Sequence, residues 1–278
     1  MKICKTKAEL EAILNSYNSN MIIGFVPTMG SLHNGHLSLI KQAKRENEIC
    51  VASIFVNPIQ FNNPDDLTNY PRDLEGDLKL LETFRCDIVF CPSVEEMYPT
   101  TPTEIYDFGD LDKVMEGEHR PGHFNGVATI VKRLFDLIKP TSAYFGEKDY
   151  QQTMIIKKLV EQEKMNIEIV ECPIIRERSG LAMSSRNALL TPENAQLAPI
   201  IYKILRDARD LVDILPPKNL KQWAINQFSI IPNSKLDYFE IADATNLQPI
   251  NSWNDAVKRI ACVAIYLGNI RLVDNIRM

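Results

Sequence analysis

The feature that most constrains this chain is an alternation, sustained over residues 1–175, of short apolar runs with longer amphipathic ones. Strand-like runs fall at 21–27, 49–57, 87–91, 143–146 and 167–172, with helical patterns at 37–46, 74–84, 127–138 and 151–163. Nearly continuous apolar strands separated by helices predict a parallel sheet covered on both faces, a doubly wound α/β domain. Ligands of such sheets bind beyond the carboxyl ends of the strands, where loops lead into helices. The opening MKICKTKAELEAIL reads as charged and helix-patterned, and 92–109 as a long loop carrying one short strand at 104–108.

Near Thr191 the pattern changes. Thr191-Pro192-Glu193 places a hydroxyl cap, a first-turn proline and an acid at the positive end of a helix dipole. Helical stretches run to about residue 215 and again over 220–228, and strand-like runs follow at 236–242, 260–267 and 270–274. Gly268-Asn269 joins the last two as a hairpin candidate. Helices followed by clustered strands predict a smaller α+β domain, giving a division into 1–175 and 176–278.

Composition bounds the function. A 278-residue chain with 45% hydrophobic and 24% charged residues is ordinary for a globular protein and can bury a core without staples. The net charge of −5, with no block of five like charges, argues against nucleic acid as the main partner. The N-terminus lacks the pattern of a secretory signal, and no run approaches the ~18 apolar residues that span a bilayer. The cysteines, Cys4, Cys50, Cys86, Cys91, Cys172 and Cys262, are scattered without a C-x-x-C pair, several in apolar runs where a thiol acts as a small buried hydrophobe. A reduced, cytoplasmic protein is expected.

The chemistry concentrates after the first apolar strand, in Pro27-Thr28-Met29-Gly30-Ser31-Leu32-His33-Asn34-Gly35-His36-Leu37. This segment opens a helix, whose unpaired N–H groups and partial positive charge suit a phosphate. Gly30 and Gly35 let backbone approach a ligand, and His33 and His36 can donate hydrogen bonds. A plain glycine turn with two surface histidines would look the same. Gln60, after the second strand, can bind a hydroxyl and a carboxylate without adding charge, or can simply satisfy loop backbone. Gly146-Glu147-Lys148-Asp149 again joins a strand end to a helix start, with Lys148 as the cation and Asp149 as the cap. Met183-Ser184-Ser185-Arg186 offers two hydroxyls and a guanidinium that fits phosphate in bidentate fashion, unless it is only a polar linker.

His33-Asn34-Gly35-His36 resembles the H-x-G-H motif of the nucleotidylyltransferase superfamily, which includes the class I aminoacyl-tRNA synthetases. With Pro27-Thr28-Met29-Gly30 it is similar to the pantothenate synthetase (pantoate–β-alanine ligase) family in particular. Phe55-Val56-Asn57-Pro58-Ile59-Gln60-Phe61, Arg120-Pro121-Gly122-His123-Phe124-Asn125-Gly126-Val127, Gly146-Glu147-Lys148-Asp149-Tyr150-Gln151-Gln152 and Met183-Ser184-Ser185-Arg186-Asn187 extend the likeness in order. Asp237-Tyr238-Phe239-Glu240-Ile241 and Arg271-Leu272-Val273-Asp274-Asn275 carry it toward the C-terminus.

The resemblance implies a Rossmann-like fold and ATP-dependent condensation of pantoate with β-alanine through a pantoyl-adenylate, giving pantothenate, AMP and diphosphate. It assigns ATP contacts to Met29, Gly30, Ser31, Leu32, His33, Asn34, Gly35, His36, Gly146, Glu147, Lys148, Asp149, Ile175, Met183, Ser184, Ser185 and Arg186. Pantoate contacts fall to Gln60 and Gln152, and catalysis to His36, His33 and Lys148. His36 takes the role of proton donor, although its chemistry equally suits a phosphate hydrogen-bond donor. Mg²⁺ on the polyphosphate, no protein-bound metal and a homodimer are also implied. Ser179 departs from the family's usual Asp before Gly-Leu-Ala-Met-Ser-Ser-Arg, removing a charge beside the phosphate loop.

Three alternatives compete. A nucleotidylyltransferase acting on a phosphorylated metabolite would share H-x-G-H but form no amide. A zinc-dependent binding protein would use His33, His36, His119 and His123 with Cys86 and Cys91, although these lack paired ligand spacing with a matching second half. An aminoacyl-tRNA synthetase would need an anticodon-binding or basic domain, which the sequence does not suggest.

Overall fold

The five apolar runs of the first half pair, with an additional N-terminal strand, as a six-stranded, all-parallel sheet of β1 (Lys2–Cys4), β2 (Ile23–Thr28), β3 (Ile49–Ile54), β4 (Ile88–Phe90), β5 (Ser142–Gly146) and β6 (Glu168–Cys172). The computed structural model describes residues 1–18 and 20–278. Its contacts separate two compact units: Met1–Phe108, Arg120–Glu147 and Gln152–Pro173 form the first, and Gly109–His119, Lys148–Gln151 and Ile174–Met278 the second.

Strand order in the first unit is β1-β4-β3-β2-β5-β6, so the chain leaves β2 toward one edge and later returns beside it as β5. Side chains of successive strand residues point to opposite faces, and helices cover both. Val26, Ala52, Val89 and Tyr144 are buried with Leu39, Ile40 and Ala43 of helix Asn34–Glu46 and Leu81 of helix Leu74–Thr83. Phe25 meets Phe135 of helix His123–Ile138 edge to face, with ring centroids 6.2 Å apart. The sheet is therefore doubly wound. Its topological switch lies between β2 and β5, where such sheets bind ligands. Gly24 pairs with Ser142, so Thr28 and Gly146, equally far along parallel strands, end at the same edge.

In the second unit β7 (Ser234–Asp243), β8 (Arg259–Leu267) and β9 (Ile270–Arg277) form an antiparallel sheet, with Gly268 turning the β8–β9 hairpin at φ +58°. Ile201, Ile204, Leu205 and Ala208, on one face of helix Ile200–Asp210, are buried with Leu220, Ala224 and Phe228 of helix Pro217–Ser229 and with Phe239, Val263 and Ile265 of the sheet. Thr191 caps helix Pro192–Leu197 as its sequence predicts, accepting the Asn194 N–H at 3.2 Å.

Two expectations change. The N-terminus is not helical throughout: β1 precedes helix Lys7–Asn15, and Thr6 and Glu9 form a capping box between them. Residues 104–108 are not a strand, because Asn125 takes the place of a neighbouring strand. Its side chain accepts the Tyr106 N–H at 3.0 Å and donates to the Glu104 carbonyl at 2.9 Å.

Candidate active site

The turn after β2 is built from backbone held in unusual positions. Thr28 donates its hydroxyl to the Ser53 carbonyl at 2.7 Å and accepts the Gly30 N–H at 3.2 Å. Gly30 (φ +79°) and Ser31 (φ +50°) are both left-handed, a region in which Cβ-bearing residues are strained. A Cβ on Gly30 would also stand 2.9 Å from Asp77 Oδ2. That carboxylate, buried on helix Leu74–Thr83, accepts the Ser31 N–H at 2.8 Å and the Leu32 N–H at 2.7 Å. Burial raises its pKa above the ordinary aspartate range, while the two N–H bonds pull the other way.

His33 is the N-cap of helix Asn34–Glu46. Its Nδ1 accepts the Gly35 N–H at 3.1 Å, and its own N–H donates to His36 Nδ1 at 3.4 Å, so two imidazoles form the capping box. Their rings stack with centroids 4.1 Å apart. With each Nδ1 accepting, the neutral rings carry their protons on Nε2. Two Nε2–H donors thus stand at the positive end of a helix dipole, an arrangement suited to an anion. The amides of Ser31 and Leu32, by contrast, already serve Asp77, so histidine side chains rather than a full backbone cradle carry the turn's donor capacity.

Gln60 closes a short 3₁₀ turn, Pro58–Gln60, beyond the end of β3. Its side chain does not serve loop backbone. Oε1 accepts from Asn57 Nδ2 at 2.9 Å, and Nε2 points to Met29 Sδ at 3.1 Å. A thioether is a weak acceptor, so this buried amide keeps donor capacity for a better one. The turn is braced from behind. Asn57 donates to the Gly126 carbonyl at 2.9 Å and accepts the Tyr98 hydroxyl at 2.8 Å. His123 Nδ1 bonds the Gln60 carbonyl at 2.8 Å, while Arg120 Nη1 lies 3.0 Å from His123 Nε2. The carbonyl must accept and the guanidinium must donate, which fixes the tautomer of a neutral ring with its proton on Nδ1.

Asn57, Asp77, Tyr98, Arg120 and Gly126 received no role from the sequence, and His123 only that of a zinc ligand in a rejected alternative. Arg120-Pro121-Gly122-His123, with its two ring- and fork-bearing donors around a glycine, was the signal available for part of this set.

Adjacent glutamines have different surroundings. Gln151 belongs to the second unit and is buried; it donates to the Leu111 and Val114 carbonyls at 2.6 and 2.9 Å and accepts the Glu116 N–H at 3.0 Å. Gln152, the predicted pantoate ligand in the first unit, is half-buried on helix Tyr150–Gln162. Asp149 ends the 3₁₀ turn Glu147–Asp149, which leads directly into this helix.

Within the second unit, Lys148 Nζ lies 3.3 Å from Asp149 Oδ1, and the Lys148 carbonyl accepts from Asn275 Nδ2 at 2.9 Å. Ile175 and Met183 face each other across a small hairpin, the Met183 N–H donating to the Ile175 carbonyl at 3.0 Å, and Gly180 (φ +97°) turns it. Ser179 Oγ accepts the Leu181 N–H at 3.4 Å in this turn. Ser184 then caps the 3₁₀ turn Ser185–Leu189, accepting the Arg186 N–H at 3.2 Å. Asn187 ties the turn to Glu177 Oε1 and the Ala182 carbonyl at 2.8 and 3.1 Å. Residues 175–189 thus form a hydrogen-bonded hairpin followed by a turn.

The histidine positions have other partners than zinc would need. His123 is engaged by Gln60 and Arg120, and His119 Nδ1 lies 2.9 Å from Asp237 Oδ1. Cys86 Sγ points at the Cys50 and Ile88 carbonyls. Among the described residues no three His, Cys, Asp or Glu side chains gather as a metal-ligand set.

A doubly wound parallel sheet with a glycine–histidine turn at its switch point defines an α/β protein of the nucleotide-handling class. Comparison with known proteins is more specific. A sequence profile of the pantoate–β-alanine ligase family matches residues 2–277. The pantothenate synthetases of Azobacteroides pseudotrichonymphae and Porphyromonas gingivalis W83 are 49% and 46% identical over 278 residues; 99% and 100% of this chain and 99% of each relative are covered. The crystal structure of the Thermus thermophilus enzyme superposes with a TM-score of 0.93 at 41% identity, covering 99% of both chains. That of the Francisella tularensis ligase, in complex with beta-gamma ATP and β-alanine, gives 0.84 at 40% identity, covering 99% of this chain and 97% of that one. The chain belongs to the pantoate–β-alanine ligase family and is an enzyme, a ligase, of that kind.

Proposed function

We propose that this enzyme condenses pantoate with β-alanine using ATP, and that it does so through a pantoyl-adenylate. The observation that carries the reading is the pairing of two chemistries at one sheet edge. The His33–His36 donor pair lies at a helix N-terminus beyond β2, and the Gln60 amide, in contact with Met29 of the same turn, lies beyond β3. The first suits phosphate and the second suits a hydroxy acid. The Francisella tularensis complex supports ATP and β-alanine as ligands.

Joining a carboxylate to an amine in water is uphill unless the carboxylate gains a leaving group. A pantoate oxygen attacks the α-phosphorus, the new O–P bond forms, and the bond to the β-phosphate oxygen breaks with release of diphosphate. The amine of β-alanine then attacks the acyl carbon; a C–N bond forms, AMP departs with its oxygen, and the amine proton is lost. Gln60 and Gln152 orient the acid. His33 and His36, through Nε2–H, together with Lys148, Ser184, Ser185 and Arg186, offset charge on the phosphates. Met29, Gly30, Asn34, Gly35, Gly146, Glu147, Asp149, Ile175 and Met183 complete the nucleotide contacts. The geometry favours His36 as a phosphate hydrogen-bond donor over a proton donor in the chemical step, because its Nδ1 already accepts a backbone proton.

The described residues provide no cage for Mg²⁺. An ion arriving with the triphosphate would take most of its oxygens from phosphate and water, as Mg²⁺ commonly does. We assign the enzyme to the cytoplasm and to a homodimer on the family resemblance; no helix among the described residues is long and apolar enough to cross a membrane. Sedimentation at about twice the 31.7 kDa chain mass would support the dimer, and a monomer would end that assignment.

The deciding experiment supplies ATP, pantoate and β-alanine together and analyses the products. Pantothenate, AMP and diphosphate in equal amounts are expected. Formation of ADP and phosphate, or no amide product, would overturn the reading.

A further inference from the structure

The second unit contains two adjacent buried polar residues that the reaction as derived does not use, Asp274 and Asn275 near the end of β9. Buried polar side chains cost free energy unless they find partners, and the partners these two find are both segments assigned to the triphosphate. Asn275 Nδ2 donates to the Lys148 carbonyl at 2.9 Å. Asp274 receives both terminal nitrogens of Arg176, at 2.6 and 2.9 Å. The Asn275 N–H donates to Asp274 Oδ1 at 2.8 Å, so the two side chains are tied together as well.

Arg176 transmits the second tie. It pairs across the hairpin with Ala182, directly before Met183, and donates to the Gly180 carbonyl at 3.2 Å. Its guanidinium also lies 3.5 Å from the Tyr202 ring centroid, which limits its freedom. Lysine carries a flexible four-carbon stem. Fixing its backbone therefore removes one large source of uncertainty in where the ammonium can reach.

We propose that Asp274 and Asn275 are positioning residues that hold Lys148 and the 183–186 turn at one fixed spacing, so that the triphosphate meets both sets of donors in register. The proposal rests on the reading of Lys148 as a phosphate ligand. Neither Asp274 nor Asn275 touches the reacting atoms; each acts through another residue.

A double-mutant cycle on the full-length enzyme tests it. Pyrophosphate–ATP exchange is measured over a range of pantoate concentrations up to saturation for wild type, Asn275→Ala, Lys148→Ala and the double variant, with melting midpoints recorded alongside. Misplacing a catalytic group by about 1 Å can cost ~100-fold. Asn275→Ala is therefore expected to lower the exchange kcat by ~10- to 100-fold with the KM for pantoate nearly unchanged. In the Lys148→Ala background the same substitution should have little further effect. Losses that multiply independently would show a merely structural residue and overturn the proposal, as would wild-type exchange by Asn275→Ala. Wild-type exchange by Lys148→Ala would instead overturn the underlying reading of the lysine. If the alanine variant does not fold, Asn275→Leu, which keeps the branched shape and the number of heavy atoms, enters the same cycle with the same expectations.

Discussion

Gly126 lies so close to the turn that carries Gln60 that a Cβ on it would stand 2.5 Å from the Ile59 carbonyl oxygen and 2.8 Å from Gln60 Cα. Both contacts are to backbone, so no side-chain rotation can relieve them. Gly126→Ala must therefore push the 3₁₀ turn away from helix His123–Ile138 and carry the Gln60 amide with it. Overpacking of this kind typically costs about 1–3 kcal/mol of stability. The variant should fold with a lowered melting midpoint and show a KM for pantoate raised more than that for ATP. Equal changes in the two constants would show that the turn does not position the acid.

Asp77 makes stability depend on pH in a sense opposite to that of a salt-bridged aspartate. Burial is the leading cause of its raised pKa, and the neighbouring Asp73 adds to it against the Leu32 and Ser31 N–H bonds; the thiol of Cys91 also feels its charge. As pH rises from strong acid, the unfolded chain loses this proton first and the folded chain only above the raised value. Between those two points the folded state binds more protons, so stability falls with pH. An asparagine does not titrate. The melting midpoint of Asp77→Asn relative to wild type should accordingly shift in the variant's favour as pH is raised through that window. A difference that stays flat with pH would sink the assignment.

Much of the sheet was legible because β2, β3, β4 and β5 are largely buried apolar runs, and periodicity reports burial. β1 escaped because it is a three-residue edge strand with only Cys4 buried, although Thr6 and Glu9 marked the helix start after it. Residues 104–108 misled for the converse reason: the pattern looked extended, but the hydrogen-bond partner is the side chain of Asn125, and Ile105 is 90% exposed. At the site, the glycines and histidines of 29–36 were readable because their chemistry is local. The supports were not, because Asp77 lies 46 positions from Ser31 and Asn275 lies 127 from Lys148. No local pattern encodes a contact made only when the sheet closes.

Cys4, Cys91 and Cys172 should be nearly inert in the native enzyme. Burial pushes Cys4 and Cys172 up to about 12 and Cys91 to about 11, so little thiolate is present near neutrality. A chromogenic thiol reagent at about pH 8, near the free-cysteine pKa, should therefore modify these residues slowly until denaturant is added, after which all six cysteines react. Fast labelling of Cys4 or Cys172 in folded protein, located by peptide mapping, would contradict the burial described above.

The order of chemistry provides the most exacting test of the reaction. If the carboxylate is activated first, diphosphate leaves before the amine is needed, and labelled pyrophosphate should enter ATP with pantoate present and β-alanine absent. Nothing should exchange without pantoate, because no other group would attack the α-phosphorus. Gln60→Ala and Lys148→Ala should then fail in different ways. Loss of the Gln60 amide weakens the acid, so exchange should recover substantially as pantoate is raised. Loss of the Lys148 charge removes stabilisation that grows as the phosphates separate, and such contacts are typically worth roughly 10²–10³ in rate. Excess pantoate should not restore that variant. Recovery of Lys148→Ala by substrate would move the lysine to ground-state binding, exchange that required β-alanine would point to a concerted route, and exchange without any acid would favour a nucleotidylyltransferase.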